Sequence, residues 1–262
     1  MPTNIYLTRH LQRIDDTGSR DKTLELKWRS EDEKDIRYKI NPYLVDKAKD
    51  PENIQDVLKE IPIENINVII SSPFLRCIQT SLLLRNQINK LKEDAHLEPI
   101  KQIHINFGLS EIIDDALFHP VKTPINIRKI FEFSKYYLTT NENLTPDLLL
   151  ESECLPEILH NEIDLTKNPE DENEQYIKRI KQTLRQIYEK YSGQNILIVT
   201  HADTGVIFPP FKKLNYNDHR VIHIDPKYIT QSGGLSNNFK SKYLKYKNKY
   251  LLLKKSLSKF DY

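Results

Sequence analysis

Asn4-Ile5-Tyr6-Leu7-Thr8-Arg9-His10-Leu11-Gln12-Arg13 is an apolar run that ends in a histidine flanked by arginines. The pattern recurs twice. Asn67-Val68-Ile69-Ile70-Ser71 leads into Ser72-Pro73-Phe74-Leu75-Arg76, and Asn195-Ile196-Leu197-Ile198-Val199 leads into Thr200-His201. Short apolar runs bounded by polar residues read as buried strands. A strand that ends in a buried cation is costly unless an anion sits against it. Parallel strands converging this way bring Arg9, His10, Arg13, Arg76 and His201 to one sheet edge, where open α/β sheets bind their ligands. The expected ligand is an anion of phosphate type.

Outward from these runs, Asn53 to Glu60 and Leu75 to Leu91 have helical periodicity, and Ile100 to Asn106 alternates like a further strand before Phe107-Gly108-Leu109-Ser110-Glu111. Residues 14 to 50 are polar and irregular with Trp28 as the strong apolar anchor, so a long loop over the pocket is expected. From 112 to 173 prolines at 120, 124, 146, 156 and 169 break the pattern, which predicts an inserted helical cap. Glu174 to Tyr191 is an amphipathic helix with Tyr176, Ile180, Leu184, Ile187 and Tyr191 on one face and Gly193 past its end. The fold expected is a three-layer α/β/α sandwich with a mostly parallel central sheet, its first strand central. The main domain is expected over 1–231, with 112–173 as its inserted cap.

Composition narrows the class. A chain of 262 residues with 38% hydrophobic and 29% charged content reads as soluble and globular. No run approaches the roughly 18 apolar residues of a membrane span, and Met1-Pro2-Thr3-Asn4 lacks the basic and apolar regions of a leader. The cysteines, Cys77 and Cys154, make neither a disulfide framework nor a zinc spacing, so a cytoplasmic location is expected. Residues 239 to 262 carry eight lysines and Asp261, a balance of +7; the total of +2 then leaves −5 for the first 238. An acidic body with a basic tail argues against nucleic-acid binding. In that tail Phe239, Tyr243, Tyr246, Tyr250, Leu253 and Leu257 form a short heptad seam, so residues 235–262 are expected as a basic amphipathic helix that docks on the body or joins a homodimer.

Histidines among arginines suit phosphoryl transfer, whose transition state spreads negative charge over equatorial oxygens. One neutral imidazole can attack phosphorus in line, and neighbouring guanidinium groups disfavour its protonation. The leaving oxygen needs a proton, for which Glu111, with a pKa raised by partial burial, is the candidate and Asp114 and Asp115 the rivals. Three arginines would repel a metal ion, so no metal and no cofactor is expected.

Thr8-Arg9-His10-x-x-Arg13, Ser71-Ser72-Pro73-x-x-Arg76-x-x-Gln79-Thr80 and Val199-Thr200-His201 resemble, in order and spacing, the three motifs of the histidine phosphatase superfamily, the phosphoglycerate mutase-like fold. The resemblance covers about residues 3 to 215. Arg76-Cys77-Ile78-Gln79-Thr80, Phe107-Gly108-Leu109-Ser110-Glu111, Glu174-x-Tyr176-x-x-Arg179 and Asn41-Pro42-Tyr43-Leu44 are similar to elements of the subgroup holding T-cell signalling suppressors and ecdysteroid-phosphate phosphatase. It implies a metal-independent phosphomonoesterase in which His10 is the nucleophile, Arg9, Arg13, Arg76 and His201 bind phosphate, and Glu111 donates the proton. The implied substrate is a phosphorylated small molecule or a phosphotyrosine-type ester. A mutase is the first alternative, disfavoured because Ile112-Ile113-Asp114-Asp115 follows Glu111 where mutases carry Arg-His-Tyr; a weakly catalytic phospho-ligand-binding protein is the second. Leu11 and Ala202 replace the family's glycines, and Leu11 is expected to narrow the pocket or turn an amide away. The lysine- and tyrosine-rich tail also resembles tails of giant DNA virus proteins.

Overall fold

The computed structural model describes residues 2–14, 41–112, 127–144, 147–150, 174–208, 214 and 221–230. Met1–Ile229 forms one compact unit and Thr230–Tyr262 a second, of which only Thr230 is described. The tail helix, Trp28, Asp114, Asp115, Cys154 and most of the expected cap lie outside the described residues.

The apolar runs form strands because β-branched side chains pack well on a pleated surface. They are β1 (Asn4–Arg9), β2 (Ile66–Ser71), β3 (Ile103–Ile105), β4 (Leu148–Leu150), β5 (Asn195–Thr200) and β6 (Val221–Ile224). The sheet order is β4-β3-β2-β5-β1-β6, parallel throughout except for β6, which runs antiparallel to β1. Thus β5, and not β1, lies between the two other motif-bearing strands; β1 is one place in from the edge. The expected strand over 100–106 is shorter, because only residues 103–105 pair with β2.

Helices cover both faces of the sheet. They are α1 (Pro51–Leu58), α2 (Leu75–Asp94), α3 (Ile127–Asn141), α4 (Glu174–Lys190) and a short α5 (Lys227–Thr230). Leu197, Val199, Ile69, Ile103 and Ile105 belong to one core with Val57, Ile78, Leu82 and Phe131 of α1 to α3. The alternate residues Ile196, Ile198 and Ile70 are equally buried and face the other way. On that second face the hydroxyl of Tyr191, the residue just past α4, is 2.9 Å from Nδ1 of His104 in β3. Burial on both faces explains why these strands read as continuous apolar runs. Within 112–173, where a helical cap was expected, α3 packs on α2 and β4 extends the sheet edge beside β3. Three residues of β4 are too few for the alternation to announce a strand.

The first motif and the end of the following loop are clamped together. Ile14 N–H donates to Tyr43 O at 2.9 Å, Val45 N–H to Gln12 O at 3.1 Å, and Arg13 bridges antiparallel to Leu44. Asn41 then ties this segment to two helices. Its Oδ1 accepts Leu75 N–H at 2.7 Å, one of the amides at the start of α2 that lack an intrahelical partner, and its Nδ2 donates to Ser134 Oγ of α3 at 2.8 Å. Ser134 Oγ lies 3.0 Å from Pro73 O, closing the brace over the start of α2. Asn41→Ala is expected to cost about 1–3 kcal/mol, since it strands buried polar groups. Chemical denaturation with an unchanged denaturant slope is the measurement that checks it.

Candidate active site

The hydrogen-bond ladder of the sheet continues one residue past three strands, which sets the site's floor. His10 N–H donates to Thr200 O at 3.0 Å, Ser72 N–H to Val199 O at 3.0 Å, and Asn106 N–H to Ser71 O at 2.9 Å. The residues after β1, β2 and β3 thus stay in the ladder, and because Arg9 pairs with Thr200, His201 follows β5 beside His10. His10 and His201 are each about 1% exposed, with ring centroids 5.6 Å apart. Arg76, on the first turn of α2, has no exposed surface, and its guanidinium stacks 4.6 Å from the Phe74 ring centroid. Of the residues expected at the site, His10, Arg13, Arg76, Glu111 and His201 meet directly, and the Arg9 charge acts on both histidines and on Glu111.

Glu111 is the anion of the cluster. Its Oε2 pairs with Arg76 Nη2 and lies 4.0 Å from Arg13 Nη1 and 3.8 Å from His201 Nδ1. Burial pushes its carboxyl up, but Arg76, His201, Arg13 and Arg9 together overcome that and hold it at about 2. The raised pKa expected from partial burial is thus reversed, because the count of surrounding cations outweighs desolvation. Pairing with Glu111 uses only part of Arg76: its Nε and Nη1 are buried and have no hydrogen-bond partner among the described residues. Buried guanidinium donors without acceptors are costly, so this fork is shaped for a further anion.

Each imidazole has a defined proton. His10 Nδ1 lies 2.7 Å from Leu11 O, which can only accept, so Nδ1 carries the hydrogen and Nε2 the lone pair. His201 Nδ1 accepts from Arg76 Nη2 at 3.3 Å, so its Nε2–H donates to Ser72 Oγ at 2.9 Å. Burial, reinforced by Arg9 and Arg76, keeps His10 neutral far below the usual imidazole range; burial does the same for His201, with Glu111 opposing and the arginines assisting. A neutral, fixed imidazole beside unpaired guanidinium donors is equipped to attack an electrophile bearing negative charge. Cys77 is not a competitor for that role. Burial pushes its thiol up to about 12 despite Arg76, so it stays a packed, inert side chain.

Leu11 and Ala202 are accommodated without glycine's freedom. The non-glycine residues with positive φ among those described are His96 and Asn143 alone. The Leu11 side chain is buried in the core with Ile14 and Leu44, so it does not narrow the pocket; its amide is turned to Thr80 Oγ1, at 3.0 Å. At Gly108 a side chain is excluded, since a Cβ would stand 2.1 Å from Thr183 Oγ1. Arg179 of α4 clasps the same turn, donating to the carbonyls of Gly108 (2.7 Å), Ser110 (3.1 Å) and Glu111 (3.2 Å). Ser72, Thr80 and Arg179 support the site in ways that the linear motifs leave unstated.

No family model and no curated protein matches the sequence. Solved structures with a similar course of the chain include the ecdysone phosphate phosphatase of the silkworm Bombyx mori (16% identity, TM-score 0.47, covering 77% of this chain and 74% of that one). A phosphoglycerate mutase from Bacillus anthracis has 19% identity and a TM-score of 0.45, covering 87% and 95%. Phosphoserine phosphatase from Entamoeba histolytica has 15% identity and a TM-score of 0.38, covering 78% and 77%.

The ionisation pattern has a consequence for stability. His10 and His201 stay unprotonated in the fold, whereas the unfolded chain takes up two protons below about pH 6.5. Stability should therefore fall on acidification below pH 6.5, by up to about 1.4 kcal/mol per pH unit for each histidine. Glu111, held at about 2, adds stability that is lost between about pH 4.3 and pH 2. Thermal melts at pH 7.5 and pH 5 should show the loss, and the His10→Asn/His201→Asn double variant should show a shallower one.

Proposed function

We propose that this protein is a metal-independent phosphomonoester hydrolase of the histidine phosphatase type, working through a phosphohistidine on His10. The observation that carries the reading is the neutral His10, its Nδ1–H fixed on Leu11 O, next to an Arg76 fork with two buried donors left over. In the first step His10 Nε2 attacks phosphorus as the P–O bond to the leaving group breaks, and the leaving oxygen takes the Glu111 proton. In the second, water attacks phosphorus, the P–N bond breaks, His10 is restored, and the proton released by water returns to Glu111. Arg9, Arg13 and Arg76 hold the phosphoryl oxygens, and His201 joins them by turning its Nε2–H from Ser72 Oγ to the bound anion.

Glu111 can fill this role although its carboxyl is held at about 2. The cations that keep it ionised are those a phosphoryl dianion neutralises, so bound substrate restores the carboxyl's affinity for a proton, which a monoanionic ester hands to Glu111 as it becomes the dianion. The substrate class in this reading is a phosphorylated small molecule, aryl esters of the phosphotyrosine type included. A reducing, cytoplasmic-type compartment suits the unbridged, buried Cys77, and the heptad seam of 239–257 supports self-association as a homodimer. Among the described residues no helix is long and apolar enough to cross a membrane.

His10→Ala should abolish hydrolysis of p-nitrophenyl phosphate while leaving the melting profile folded, and acid-labile, base-stable label should be trapped on His10 by rapid quenching of wild type. Label on another residue, or none, would sink the mechanism. Turnover should also survive EDTA, and Arg76→Ala should lower kcat/KM by roughly 10²- to 10³-fold, as loss of a transition-state donor does. Restoration by a divalent ion after chelation would point to a metal-dependent reaction instead.

A further inference from the structure

Thr80 contributes nothing to the expected list of phosphate ligands, and its hydroxyl faces away from solvent with no exposed surface. It sits one helical turn after Arg76 on α2 and joins the two halves of the site. Its O–H donates to Arg76 O at 2.7 Å, and the same oxygen accepts Leu11 N–H at 3.0 Å. Leu11 O in turn is the acceptor 2.7 Å from His10 Nδ1. A single hydroxyl therefore ties the backbone residue that selects the His10 tautomer to the helix turn that carries the Arg76 fork.

We infer that Thr80 is a positioning residue that fixes Leu11 so that His10 presents Nε2 to phosphorus in register with Arg76. The inference rests on the phosphohistidine reading above and deepens it. A hydroxyl is the group the geometry demands. The helix carbonyl of Arg76 needs a donor and the Leu11 amide needs an acceptor, and one oxygen supplies both. Valine has the shape of threonine without either function, and serine keeps both while losing a methyl. Leu11 has its own side chain anchored in the core, so the peptide is held from both sides: by apolar packing on one and by Thr80 on the other.

The test uses the full chain with Thr80→Val and Thr80→Ser, p-nitrophenyl phosphate as substrate and orthovanadate as the transition-state-like ligand. Loss of the hydrogen bond that orients a working histidine costs roughly 10- to 100-fold where the histidine ligates a metal, and a loss of that size is expected here. Thr80→Val should lower kcat by that factor with KM and vanadate affinity within about threefold, and Thr80→Ser should restore kcat to within about threefold of wild type. In ¹⁵N-histidine NMR, the wild type should show His10 protonated on Nδ1, and Thr80→Val should show a mixture of tautomers. If Thr80→Val does not fold, Thr80→Cys, whose thiol is a poor acceptor, takes its place with the same expectation. Unchanged kcat with an unchanged tautomer overturns the positioning role, as does equal loss in KM and kcat that serine fails to rescue. Absence of any phosphohistidine in wild type would instead remove the mechanism on which the role rests, whatever the Thr80 variants do.

Discussion

A fully buried guanidinium on the first turn of α2 is the constraint around which this molecule is arranged. Arg76 has no contact with bulk water, so its charge must be met from within. Glu111 meets part of it, the Phe74 ring covers one face, and His201 Nδ1 accepts from one edge. Because α2 begins where β2 ends, the sheet itself fixes where this charge lies; because β5 lies beside β2, His201 has no choice but to meet it. The same field, together with burial, then keeps His10 and His201 without protons and Glu111 without one as well.

What surrounds Arg76 is a set of backbone supports more than of side-chain contacts. Asn41 holds the amide at the start of its helix, Thr80 caps its carbonyl, and Arg179 gathers three carbonyl groups of the turn that presents Glu111. Tyr176, one turn earlier on α4, reaches Thr204 Oγ1 at 3.0 Å, and Thr204 N–H donates to His201 O at 3.2 Å, so one helix braces both the acid turn and the second histidine. Preorganisation of this sort lets charged groups act without reorganising during a reaction.

The strands and the clustering of His10, Arg76 and His201 were legible because buried parallel strands leave continuous apolar runs, and because a cation at the end of such a run has few structural reasons to be there. The ionisation of Glu111 was not legible. A sequence shows that a carboxyl follows a glycine turn, but the sign of its shift depends on how many guanidinium groups end up near it. Strand β4 escaped notice for a different reason: its three leucines carry no alternation, and its place is set by β3. Leu11 read as an obstruction because sequence does not say which way a side chain turns; here it turns into the core. Thr80 lies within the second motif, yet its bond to Leu11 spans 69 positions and exists only once the strand and helix are docked.

The clamp between residues 12–14 and 43–45 separates two kinds of evolutionary freedom. Where a chain leaves and re-enters a fold at neighbouring points, lengthening the excursion costs only about 0.6 kcal/mol per doubling. The ends of residues 15–40 are therefore held at a fixed separation whatever the length of that segment, because the paired backbone of 12–14 and 43–45 sets it. Length change in one part of the gene is thereby uncoupled from the placement of the strand and helix on either side of it.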